Sequence, residues 1–204
     1  MIATLIVAHP KRIEWAEGLA AKVGGTIVLD TDGLGAGGNH REALRVGLAS
    51  GAEWLCVLED DALPVEGFMT HVAAAVERRP AQMLGLYVGR QRPRAERVEA
   101  AVRKADEQGA AWLTYPGLLW GVATVWPARL AGEFLADQAR GTNLWDVQVK
   151  AWCQRRGLEV AYCWPSLVEH RDDGTVIAGR LARRPGRIAH RVGIPQWSDL
   201  AVAI

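Results

Sequence analysis

The chain has 204 residues, carries 24 Lys and Arg against 23 Asp and Glu for a formal charge of +1, and is half hydrophobic. That size fits one domain able to bury roughly 70% of its unfolded surface, and the balanced charge gives no reason to expect nucleic acid or an anionic membrane surface. No apolar run approaches a membrane span, the start Met1-Ile2-Ala3-Thr4-Leu5-Ile6-Val7 lacks a signal peptide's basic region, and Cys56, Cys153 and Cys163 lack metal-ligand spacing, so the expectation is a cytoplasmic protein with reduced core thiols.

Ile2 to Ala8 reads as an apolar strand ending at His9-Pro10, followed by a helix with Ile13, Ala16, Leu19, Ala20 and Val23 on one face, stopped by Gly24-Gly25. Thr26 to Leu29 is a second buried strand, closing on Asp30. Strand, helix, strand in that order predicts a parallel pair with a right-handed crossover. Ligands of such sheets collect at the carboxyl ends of the strands. Gly33-Leu34-Gly35-Ala36-Gly37-Gly38 reads as a flexible loop before a helix capped by Asn39. Its glycines lack G-x-G-x-x-G form after a strand and no G-K-[ST] follows, which disfavours a dinucleotide fold and a P-loop. Arg41 falls in the expected first turn, where the helix dipole opposes a cation; a surface arginine or one answering an external diphosphate fits equally.

Glu53 to Leu58 has the composition of a strand buried on both faces, and it runs into Glu59-Asp60-Asp61 before Pro64, a residue suited to opening a helix. Three carboxylates at one strand end repel by roughly 3 kcal/mol per pair at about 5 Å and an effective dielectric near 20. A hard divalent cation turns that repulsion into attraction. The plainer alternative is a solvated turn with Asp61 as a helix cap. His9, Asp30 and the acid triplet would share one rim, and that convergence favours the metal.

Phe68, Val72, Ala75 and Val76 mark an amphipathic helix, and Met83 to Val88 a strand. Residues 90–109 read as a helical insertion with Val98, Ala101, Val102 and Ala105 inward and a charged, solvated outer face. Ala111 to Tyr115 and Val122 to Trp126 are strands around Pro116-Gly117-Leu118-Leu119-Trp120-Gly121, an apolar loop that holds a flat substrate or simply packs. A helix from Pro127 ends at Gly141-Thr142-Asn143, and the next carries Trp145, Val149 and Trp152 on one face. Asp146, in its first turn, is either a capping acid paired with Lys150 or a general base. Glu159 to Cys163 is the last core strand, and the following loop carries His170, a ligand candidate. No acid occurs from Gly174 to Ser198, whereas Arg180, Arg183, Arg184, Arg187 and Arg191 cluster there. This basic segment, 174–204, could close over a diphosphate, contact an anionic acceptor or lie on the acidic rim. Nine tryptophans suit a sugar-binding surface as well as a core.

The ordered set Asn39-His40-Arg41-Glu42-Ala43-Leu44, Leu58-Glu59-Asp60-Asp61-Ala62, Trp120-Gly121, Trp145-Asp146 and Pro165-Ser166-Leu167-Val168-Glu169-His170-Arg171 resembles small GT-A type glycosyltransferases, of the bacterial or phage lipopolysaccharide or family-2 kind. The resemblance implies an α/β, Rossmann-like nucleotide-diphospho-sugar transferase fold, with a central, mainly parallel sheet flanked by helices, as a single catalytic domain over 1–204. It puts the D-x-D motif on Glu59 and Asp61, with glutamate where the family has aspartate. Asp61 and His170 would hold Mn²⁺ or Mg²⁺, Glu59 and Asp60 would contact ribose or sugar, and His9 and Asp30 would border the nucleoside. Arg41 would meet the phosphates or sugar, Trp120 and Gly121 the acceptor or sugar, and Asp146 would be the base of an inverting transfer. The partners implied are a UDP- or GDP-sugar and an acceptor protein, glycan, lipid or modified DNA. Other classes are a sugar transferase acting on hydroxylated DNA bases, a nucleotidyltransferase, and a non-catalytic carbohydrate-binding protein on the same fold.

Overall fold

In the computed structural model, which describes residues 1–90, 94–137, 144–171 and 187–204, the chain builds one mixed eight-stranded sheet flanked by helices. β1 (Ile2–Ala8), β2 (Thr26–Leu29) and β3 (Trp54–Glu59) run parallel with β1 in the middle. They are linked by α1 (Ile13–Val23) and α2 (Gly35–Ala49). Leu5 to Ala8 and Leu55 to Leu58 are buried at every position, as strands covered on both faces require. The chain continues through β4 (Ala62–Pro64), α3 (Phe68–Arg78), β5 (Met83–Gly85), α4 (Ala95–Gln108), β6 (Trp112–Tyr115) and β7 (Ala123–Pro127). It ends with α5 (Ala128–Ala136), α6 (Trp145–Arg156), β8 (Val160–Cys163), β9 (Val168–His170) and β10 (Ala201–Ala203). The strand order is β10-β6-β8-β5-β7-β3-β1-β2. Antiparallel β7 lies between β3 and β5, so the sheet is mostly parallel but mixed. β4 and β9 pair outside it.

Packing follows the spacing of apolar residues. In α4, Val98, Ala101, Val102 and Ala105 are buried and the helix packs on β6 and β10, as the spacing predicted for residues 90–109. Trp126 of β7, Phe134 of α5 and Trp145 and Trp152 of α6 form one aromatic cluster. Trp112, Trp120 and Trp164 are buried as well, so most of the tryptophans are core and not a surface for sugars. The described end of the basic segment is held against α4: Arg191 pairs with Asp106 and lies over Trp164, and His190 meets Glu99 at 2.7 Å. No helix among the described residues is long and apolar enough to cross a membrane. Gly141-Thr142-Asn143 and Arg180, Arg183 and Arg184 lie outside the described residues.

Four local expectations are corrected. The glycine-rich stretch is not a loop, because α2 begins at Gly35. The Asp30 carboxylate accepts from the amides of Leu34 (2.7 Å) and Gly35 (2.9 Å), answering the bare N–H groups of the helix start. Asn39 is therefore not a cap, and its amide instead donates to the carbonyls of Ala8 (3.2 Å) and Val28 (2.9 Å), tying the ends of β1 and β2. Arg41 consequently lies in the second turn of α2, which removes the dipole argument. Pro64 opens no helix: it ends β4, opposite Val168 of β9.

Candidate metal centre

β1, β2 and β3 end side by side, with Ala8 opposite Leu29 and Val7 opposite Glu59. The Glu59 amide donates to the Val122 carbonyl at 2.8 Å, which brings Gly121 and the start of β7 to the same rim. After the Asp60-Asp61 turn, β4 pairs with β9 so that Ala62 faces His170, and the Arg171 amide donates to the Asp61 carbonyl at 2.9 Å. This short ladder delivers His170 to Asp61. His170 therefore sits on a strand, not on the loop that its sequence suggests.

Glu59, Asp61 and His170 each offer one ligand atom, and these atoms lie within 4.8 Å of one another. Ligands about 2.2 Å from a common ion are separated by at most about 4.4 Å, so a small adjustment closes the set. His170 Nε2 is 3.4 Å from Asp61 Oδ2, while Asp61 Oδ1 is buried without a hydrogen-bond partner. A carboxylate oxygen withdrawn from water and left unanswered is costly, and a cation there answers it. Arg12, itself buried, pairs with Asp60 Oδ1 at 3.0 Å and Asp61 Oδ2 at 2.5 Å. Burial works against its charge, but Asp61 and Asp60 outweigh that and raise its pKa. Asp60 Oδ2 accepts from the His9 amide at 2.8 Å, so both Asp60 oxygens serve the turn itself. Burial pushes the Asp60 carboxyl up, against the pull of the His9 amide and Arg12.

Glu59 keeps 29% of its side chain exposed, yet its pKa is pushed up to about 8 by loss of hydration and by Asp61, with Arg187 opposing and Asp60 and Asp146 adding. The site thus favours a positive partner at Glu59. Beside it stands His40, whose Nδ1 lies 2.7 Å from the Ala36 carbonyl and whose pKa burial lowers to about 4.

Of the residues singled out in the sequence, the fold gathers Glu59, Asp60, Asp61, His170, His9 and Gly121 at one rim. Asp146 lies in the first turn of α6, near enough for its charge to act on Glu59; its Oδ1 accepts from the Val147 amide at 3.0 Å. Lys150 lies over the Tyr115 ring, 5.7 Å from its centre. Three others are placed elsewhere or otherwise engaged. Asp30 caps α2. Trp120 is 7% exposed and packs edge-on against Tyr87 and Tyr162. Arg41 lies over Phe134, 4.5 Å from the ring centre, with Gln148 Oε1 and the Asp137 carbonyl at 3.5 and 3.4 Å. Sequence reasoning missed Arg12 and gave His40 no role. Neither carries a local signal, since each looks like an ordinary polar helix residue until the fold sets it against the acids.

No family model matches the sequence, and no curated protein does. Among solved structures the chain is similar to A197 from STIV, at 15% identity over 97% of each chain with a TM-score of 0.49.

Proposed function

We propose that the chain is a metal-dependent glycosyltransferase of the GT-A type, moving a sugar from a UDP- or GDP-sugar to an acceptor hydroxyl. The observation that carries this reading is the trio Glu59, Asp61 and His170, with one buried unanswered oxygen, at the carboxyl ends of parallel strands. Two carboxylates and an imidazole fit Mn²⁺ or Mg²⁺, and the imidazole favours Mn²⁺. When bound, the ion supplies positive charge against a departing diphosphate. The remaining work belongs to the chain. Arg12 and the His9 amide hold Asp60 and Asp61 in their turn, β9 presents His170, and the Asp146 carboxylate takes the proton of the attacking hydroxyl in an inverting transfer.

The test is thermal unfolding of the wild type and Asp61→Asn with Mn²⁺ and UDP or GDP. Ligand at a hundred times its dissociation constant stabilises by about 2.7 kcal/mol, which raises the midpoint of a chain this size by roughly 5–11 °C. Asp61→Asn is expected to lose that rise. Mass spectrometry of products from a nucleotide-sugar and acceptor screen then identifies donor and acceptor. A wild type unmoved by Mn²⁺ with either nucleotide overturns the proposal.

A further inference from the structure

The basic segment comes back to the metal centre along a fixed path. Glu169 of β9 accepts from the His170 amide at 2.8 Å, and the same oxygen, Oε1, accepts from the Ala189 amide at 2.6 Å. Two amides on one oxygen are held side by side, so the returning chain is fastened to the strand that delivers His170. Backbone bonds extend the fastening. The His190 amide donates to the Val88 carbonyl at 2.7 Å, the Arg90 amide donates to the Ile188 carbonyl at 3.1 Å, and Ala189 bridges Gly89. Arg187 stands two residues ahead of Ala189, a span of at most about 7 Å of chain, and it is exposed. Its positive charge acts on Glu59 more strongly than the negative charge of Asp60 does. Among the described residues, however, Arg187 and Glu59 form no ion pair.

An arginine this near the ligand trio works against a bare cation, because like charges repel. Once the cation carries an anion the sign reverses. Phosphate oxygens take charge-assisted, often two-pronged hydrogen bonds from a guanidinium. We propose that Arg187 is an anion-binding residue of the metal centre, taking phosphate oxygens of the bound diphosphate, and that Glu169 is the positioning residue that holds it there. The proposal rests on the reading above of a metal-dependent nucleotide-diphosphate site. Glu169 is not a ligand; it acts through the Ala189 amide, and what it needs for that is an acceptor oxygen rather than a charge.

The experiment applies two probes to the full-length chain: Mn²⁺ alone, by the spin-resonance signal of the free ion, and UDP or GDP with Mn²⁺, by calorimetry. Arg187→Gln is expected to weaken the nucleotide about 10–100-fold, as loss of hydrogen bonds to a charged group does. Mn²⁺ alone should bind it about two- to fourfold more tightly at low salt, because a repelling charge is gone. A side chain that only supports the fold would weaken both probes together. Glu169→Met is expected to lose about tenfold in nucleotide affinity with Mn²⁺ alone not weakened, while Glu169→Gln, whose oxygen accepts from the same two amides, stays near wild type. The double variant Glu169→Met with Arg187→Gln should bind no more weakly than Arg187→Gln, because the two residues act as one unit. Should Glu169→Met fail to fold, Glu169→Asp, one methylene short of the Ala189 amide, takes its place. Nucleotide affinity unchanged in Arg187→Gln, or Mn²⁺ weakened along with it, overturns the role of Arg187. Equal losses in Glu169→Gln and Glu169→Met, or losses that multiply in the double variant, overturn the role of Glu169. A wild type that ignores Mn²⁺, or binds neither nucleotide, overturns the reading of the site and this proposal together. Nucleotide binding that needs Asp61 but not Arg187 overturns this proposal alone.

Discussion

Glu59→Gln should make the metal-free protein more stable while impairing its site. In the folded chain, burial and Asp61 hold the Glu59 pKa near 8, against an ordinary value of 4.5. Below pH 4.5 the carboxyl is protonated in both folded and unfolded chains and makes no difference. As pH rises beyond that, the unfolded carboxyl ionises and the folded one does not, so folding loses stability by up to about 1.4 kcal/mol per pH unit until pH 8. At pH 7 the ceiling is about 3 kcal/mol, equivalent to roughly 6–12 °C in the midpoint for a chain of this length. Glutamine carries no such penalty. Urea unfolding in EDTA at pH 4.5, 6, 7 and 8 should show the two proteins converging at the acid end and the variant gaining as pH rises. Adding Mn²⁺ should reverse the ranking, because only the wild type gains a full set of ligands. A difference that stays flat with pH, or a variant less stable than wild type at pH 7, would refute the reasoning.

Other perturbations probe the frame around the site. Arg12→Met leaves Asp60 and Asp61 buried without their cation; a loss of about 3–5 kcal/mol is expected at pH 7, shrinking as pH falls through the carboxyl range, and urea unfolding at pH 4 and 7 measures it. Tyr162→Phe removes the hydroxyl that accepts from the Leu119 amide at 2.7 Å and donates to the Gly117 carbonyl at 3.0 Å. Stranding these groups should cost about 1–3 kcal/mol, seen as a midpoint lower by roughly 2–12 °C. Gly121→Ala drives a methyl group against Trp145 and Glu59, so a loss of about 1–3 kcal/mol should come with a weaker Mn²⁺ response in thermal unfolding. Asp146→Asn should leave Mn²⁺ and nucleotide binding intact while product formation falls, since its carboxylate is assigned to the acceptor proton; unchanged turnover removes it as the base.

The parts of this site that sequence reveals are those fixed by local pattern. Continuous apolar runs mark β1, β2 and β3 because parallel strands are covered on both faces, and three acids following such a run mark the rim. What escapes is set by distant partners. Asp30 caps α2 from four and five residues upstream, so the helix starts earlier than Asn39 suggests. β9 is three residues long, too short for any alternation to register, yet its pairing with β4 alone carries His170 to Asp61. The direction of β7, between two strands that run the other way, depends on pairing across more than sixty positions. Trp120 is a case where the sequence leaves both packing and ligand contact open, and the fold sets it edge-on against Tyr87 and Tyr162.

Arg12 has a consequence for the arithmetic of charge. With Glu59, Asp60 and Asp61 all ionised, this permanently charged guanidinium leaves two net negative charges, and a divalent ion brings the ensemble to zero. A filled centre would then be electroneutral, with no net charge of its own to act at long range. Were Glu59, Asp61 and His170 to hold such an ion as proposed, its hold on a polyanion would be a short-range one, which added salt should weaken far less than it would a basic groove.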